Sequence, residues 1–110
     1  MIIHLDYETF SEADLKKVGA YRYASDPSTE ILMAAVATDE GKPYIWVNSR
    51  WDPMGVYTDP EATELLEQLH LKDTIIYAHN AQFEMAITQH CLPENFQQPE
   101  LRQWRCTAAM

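Results

Sequence analysis

Residues 73–86 read DTIIYAHNAQFEMA, and this stretch constrains the fold more than any other. Its first half is a near-continuous apolar run, the pattern of a strand buried on both faces rather than one that alternates between core and water. No turn follows. Asn80 stands as the N-cap of a helix running to about His90, with Phe83, Ala86, Ile87 and Cys91 on its buried side. A strand that passes in one step into a helix belongs to a sheet with helices packed on it, an α/β arrangement.

The rest of the chain supplies the other elements. Residues 2–7 alternate as a strand, with Ile3, Leu5 and Tyr7 on one face and His4, Asp6 and Glu8 on the other. Ser11 followed by Asp14 resembles a capping box and Gly19 reads as a helix stop, which predicts a short helix over 11–18. Residues 30–38 and 42–48 flank Asp39-Glu40-Gly41 and read as a hairpin. Asp59 and Pro60 fit the N-cap and first position of a helix whose Ala62, Leu65, Leu66 and Leu69 fall at i, i+3, i+4 and i+7. Residues 92–103, with Pro93 and Pro99, read as loop, 104–106 as a last short strand, and Thr107 as the N-cap of a further helix. Together they predict one mixed sheet flanked by helices.

Length and charge narrow the partners. A chain of 110 residues fits one domain. Cys91 and Cys106 lie in no C-x-x-C spacing, and the N-terminus carries no secretory pattern, which points to a reduced, cytoplasmic protein with both cysteines as thiols. No apolar segment approaches the roughly 20 residues of a membrane span. A formal charge of −9 speaks against nucleic-acid binding through a basic surface. It leaves open a site that meets phosphate through divalent cations held by carboxylates, because such a site must itself be acidic.

Asp6 and Glu8 share one strand face, so their carboxylates stand side by side. Alone, such a pair is as readily a solvated strand edge, and Glu84 as readily an acid favoured by the helix macrodipole in a first turn. Asn80 and Glu84, at i and i+4, share a helix face at the C-terminal end of a central strand, where open sheets place their ligands. Acids on both elements shift the balance toward a site.

Here the residues resemble a known family, the DEDD 3′-5′ exonucleases, and among them the proofreading domain of phage-type family A DNA polymerases. "LDYET" resembles the first motif, D-x-E on the first strand, and "HNAQFE" the second, at the start of a helix; "VGAYRYASDPSTEILMAAVA" and "WRCTAAM" resemble the segments around them. The resemblance covers essentially the whole chain. It implies a ribonuclease H-like mixed sheet, two Mg2+ or Mn2+ ions roughly 3.5–4 Å apart, and hydrolysis of DNA phosphodiesters at a single-stranded 3′ end. It also implies roles: Asp6 bridging both metals, Glu8 serving the metal that carries the attacking water, and Glu84 serving the second. Thr9 and Phe10 would hold the terminal nucleotide, Phe10 either by stacking or as ordinary core, and Asn80 would order the junction and contact substrate. His4 and His79 carry no zinc spacing. Like charges so close predict at least one raised carboxyl pKa.

Two departures from that family bear on activity. The second-motif acid is Glu84 where the family usually has Asp, and no Asp or Tyr follows Glu84, so the third motif, Tyr-x-x-x-Asp or His-x-x-x-x-Asp, is missing. The expectation is an incomplete exonuclease domain lacking the C-terminal helix of its fold, weakly active or inactive alone, partnered in a full-length protein by a polymerase domain and prone to self-association through the exposed face. The rival from another class is a non-catalytic ribonuclease H-like remnant that binds DNA or a protein partner.

Overall fold

The computed structural model describes residues 1–109. In chain order it has β1 (Ile2–Phe10), α1 (Leu15–Ser25), β2 (Glu30–Thr38), β3 (Tyr44–Val47), α2 (Pro60–Glu67), β4 (Ile75–Ala78), α3 (Ala81–Cys91) and β5 (Trp104–Cys106), with short 3-10 turns at Leu101–Gln103 and Thr107–Ala109. The strands form one sheet in the order β3-β2-β1-β4-β5. β2 runs antiparallel to β1 and β3, while β1, β4 and β5 are parallel. This is a mixed α/β sheet with flanking helices, compatible with ribonuclease H-like architecture, and β1 lies beside β4 as the two acidic motifs require.

Pairing register assigns every strand residue to a face. Ile3, Leu5 and Tyr7 stand beside Val36, Ala34 and Ile76, and all six are buried. All three helices cover this face. Ala62, Leu65 and Leu66 of α2 and Ala86 and Ile87 of α3 join the same apolar core, and the Tyr7 hydroxyl meets the Thr88 hydroxyl at 2.7 Å. Phe96 closes over Trp46, ring centroids 6.0 Å apart. Gln103, wholly buried, lies 2.7–3.0 Å through Nε2 from the carbonyl oxygens of Leu69, Leu71 and Thr74, so its amide satisfies the loop between α2 and β4.

The other face carries His4, Asp6 and Glu8, beside Ala37, Ala35 and Met33 of β2 and Tyr77 of β4. Among the described residues no helix covers it. β4 therefore corrects the expectation of a strand buried on both sides: Ile76 and Ala78 are buried while Ile75 and Tyr77 remain half-exposed. The apolar run was real, but only one face of it meets a helix.

Local differences have local causes. The first helix starts at Leu15 rather than Ser11, because Asp14 is the N-cap, its side chain accepting from the Lys16 amide, while the Ser11 hydroxyl accepts from Ala13 and is tied to Ser28 and Thr29. Gly19, at φ +82° and ψ 168°, is non-helical and ends the first helical stretch as read; a second one follows directly across the kink and buries Tyr23 and Ala24. α2 matches its periodicity, but the Asp59 carboxylate accepts from the Ile45 amide of β3 instead of capping. Residues 92–103 are loop except for the turn at Leu101–Gln103, and Thr107 opens a 3-10 turn. On α3 the buried side is Ala81, Glu84, Ala86, Ile87 and Thr88, with Phe83 and Cys91 only half-buried. No helix among the described residues is long and apolar enough to cross a membrane.

Candidate functional site

Asp6 and Glu8 both stand exposed on the open face of β1. β4 pairs with β1 only as far as His4↔Tyr77 and, after a last pairing of Ala78 with Cys106 of β5, leaves the sheet to start α3. Asp6 thus sits just beyond the end of its neighbour strand, where the first turn of α3 arrives. Glu84 is in that turn and only 4% exposed, reaching from the covered side. Its pKa is pushed up to about 7, first by burial and then by the negative charge of Asp6, with backbone N–H groups of Asn80 and Glu84 itself pulling the other way. The two acids therefore feel each other across the edge where β4 ends. Tyr7, beneath them, is fully inside, and burial drives its hydroxyl well above the usual range.

The remaining sequence-predicted residues divide. Asn80 is exposed, and its side chain makes no cap hydrogen bond; its carbonyl instead accepts from the Phe83 and Glu84 amides, which leaves the amide group turned outward. The Thr9 hydroxyl lies 2.9 Å from that of Tyr23, directed to α1 and away from the acidic face. Phe10 is 50% exposed at the end of the open face, so ordinary core packing does not describe it. His4 is engaged with Asp39 at 2.6 Å and stacks on Tyr77. His79 meets the Thr107 hydroxyl at 3.4 Å.

The donors suit a hard divalent cation, being carboxylate oxygens only. Asp6 and Glu84 both offer donors of that type. Among the described residues, however, no group of three His, Cys, Asp or Glu side chains gathers closely enough to hold one. Glu8 shares the face but not the cluster.

No protein-family model matches the chain. Among curated proteins, it is 36% identical over 111 residues to a DNA polymerase of Bacillus phage SP02. It is similar to part of a phage polymerase. The match takes in 96% of this chain and 15% of that protein, so the chain spans about one-seventh of the length of the curated relative it matches. The polymerase-related stretch includes both acidic motifs, since it covers nearly all of the chain.

Sequence reasoning missed one feature of the same face. Beyond Glu8, the aromatic ring of Trp51 and the guanidinium of Arg50 border an apolar hollow that Phe10 also lines. The signal was present in "NSRWDPMGVY", an arginine and aromatic residues in a loop after a strand, but nothing in its spacing tied that loop to β1.

Proposed function

We propose that this chain is the acidic half of a metal-dependent 3′-5′ exonuclease site of the DEDD kind, a module of a phage-type DNA polymerase acting on the 3′ end of single-stranded DNA. The observation that carries the reading is the placement of Asp6, on a D-x-E strand, near enough to Glu84, on the helix after the adjacent parallel strand, for its charge to add to the burial that pushes the Glu84 pKa up to about 7. The similarity to a phage DNA polymerase supports the polymerase context.

Each residue's part follows from its placement. Asp6, on the stretch of β1 past its pairing with β4, would hold cation together with Glu84. Glu84, half-protonated near neutrality, must release its proton as cation binds, so uptake is expected to strengthen from pH 6 to pH 8. Glu8, on the same face as Asp6, would turn its carboxylate toward the same charge. Two bound Mg2+ or Mn2+ ions would supply an activated water and stabilise the leaving oxygen. Because no Asp or Tyr follows Glu84, the reading takes its last carboxylate and its water-orienting side chain from outside these 110 residues. Without that orienting group the rate should fall on the order of 100-fold.

Incubation of the chain at high concentration with 5′-labelled single-stranded DNA and Mn2+ tests this. Slow shortening from the 3′ end, removed by Asp6→Ala, is expected. Shortening that Asp6→Ala and EDTA leave untouched contradicts it. The absence of a three-acid cluster favours one alternative, a non-catalytic domain that binds DNA or protein, and DNA left intact at every Mn2+ concentration would select it.

A further inference from the structure

The open face does not end at the acids. Between Glu8 and Thr9, β1 advances one residue while β2 advances two, since Glu8 pairs with Met33 and Thr9 with Ile31. This bulge leaves Leu32 as the extra residue of β2 beside Met33. Glu8, Met33 and Val47 then lie side by side across three strands, and Phe10 follows Glu8 on the same face. Two strand spacings put Val47 roughly 10 Å from Glu8. Here a hollow of about 550 Å³ opens, lined by Phe10, Leu32, Met33, Val47, Arg50 and Trp51 together with the acidic Glu30.

Two features make this hollow unlike a patch of loose apolar surface. Its rings are held out by a fixed loop. Asp52, 5% exposed, accepts from the amides of Val56 and Tyr57 and the hydroxyl of Thr58, while the Asn48 side chain bonds to the Ile31 carbonyl and the Arg50 amide. Trp51, between them, is still 55% exposed. The second feature is a cation at the rim of an otherwise acidic protein. The Arg50 guanidinium lies 5.5 Å from the Trp51 ring centre and donates at 2.9 Å to Glu30, yet its side chain remains 69% exposed, with further donors open to solvent.

We propose that this hollow is a base-binding subsite for single-stranded nucleic acid, in which a base stacks against Trp51 and Phe10 while Arg50 meets the adjoining phosphate. The inference rests on the nucleic-acid reading of the open face given above and gives that strand its direction: from the acids past Glu8 and across the sheet toward β3. Flat rings with one guanidinium suit sequence-tolerant stacking, whose affinity comes from bases more than phosphates. With a net charge of −9 the chain has no long-range pull on a polyanion, so base stacking must supply most of the binding.

The test is anisotropy of a 5′-fluorescein octathymidylate with the 110-residue chain in EDTA, where binding is read without hydrolysis. Trp51→Ala and Phe10→Ala should each weaken binding about tenfold, and Trp51→Phe should stay within about threefold of the parent. An octamer of abasic sites, with the same phosphates, should bind more weakly than the Trp51→Ala chain binds the normal octamer, and Trp51→Ala and Phe10→Ala should then change nothing. The salt slope should stay near −0.7, one phosphate's worth. Thermal melts confirm that the variants fold, since both side chains are half-exposed. Equal binding by parent, Trp51→Ala and Phe10→Ala, equal binding of abasic and normal octamers, or no octamer binding by the parent overturns the subsite. The nuclease reading fails separately: a chain that passes this test but never shortens DNA with Mn2+ keeps the subsite and loses the exonuclease.

Discussion

The two faces of the sheet are built from alternate residues of the same strands, yet they obey opposite rules. On β1, Ile3, Leu5 and Tyr7 disappear under α2 and α3, while His4, Asp6, Glu8 and Phe10 remain on a side that no described helix covers. The covered face holds the fold by burying apolar area at about 25 cal/mol per Å². The open face leaves the carboxylates of Asp6 and Glu8 exposed to water. Glu84 is the exception that joins the faces, an acid in the covered layer held against the charge of Asp6.

The largest expected effect separates the faces by stability. Ile3→Ala removes a wholly buried side chain and should cost about 2–5 kcal/mol in urea denaturation, whereas Glu8→Ala, two strand positions beyond Asp6 on the exposed side, should change stability by less than about 0.5 kcal/mol. A loss above 2 kcal/mol for Glu8→Ala would mean that the open face is structural.

Glu84 gives the next largest effect, and its sign can be worked out. Its folded pKa, about 7, lies above its unfolded value near 4.5, so the folded state holds the proton more tightly. Below pH 4.5 both states are protonated and the group contributes nothing; as pH rises toward 7 the unfolded chain loses its proton first, and stability falls. Above pH 7 the whole penalty is present, bounded by about 3 kcal/mol and reduced by solvent screening. Glu84→Gln should therefore stabilise the chain at pH 8, leave it nearly unchanged at pH 4, and flatten the profile between. Denaturation midpoints across that range check it, and an unchanged pH profile would remove Glu84 from the account.

Much of this was legible because β1 announces its period of two and α2 its period of 3.6. The sequence could not show that the run at 75–78 meets helices on one side only, because occupancy of a face is decided by where distant helices land. Gly19 was legible as a break, since its positive φ interrupts the helix; what the sequence did not announce is the second helical stretch directly after it, held by burying Tyr23 and Ala24. The acids of the candidate site were readable from D-x-E and from Asn80 and Glu84, but the near-complete burial of Glu84 was not. It depends on the angle at which α3 leaves β4. The hollow at Trp51 was invisible for a similar reason, since it exists only where the ends of three strands and one loop converge.

The smallest expected effect lies at the far end of the open face. His4 and Asp39 form an exposed pair, 45% and 55% accessible, so His4→Gln should alter stability by less than about 0.5 kcal/mol at pH 6 and leave Mn2+ uptake unchanged. A large change in uptake would move the centre of the acidic face from Asp6 toward Asp39.

That contrast also supplies the most direct test of the central claim, that the open face gathers cation at Asp6 and Glu84. Mn2+ titrations, followed by paramagnetic broadening of backbone amide signals, should broaden residues around Asp6 and the first turn of α3 before any others. Asp6→Ala should abolish that broadening, whereas Asp39→Ala, which removes the same charge from the same face, should preserve it. Broadening that survives Asp6→Ala, or that centres on Asp39 and Glu40, would contradict the account.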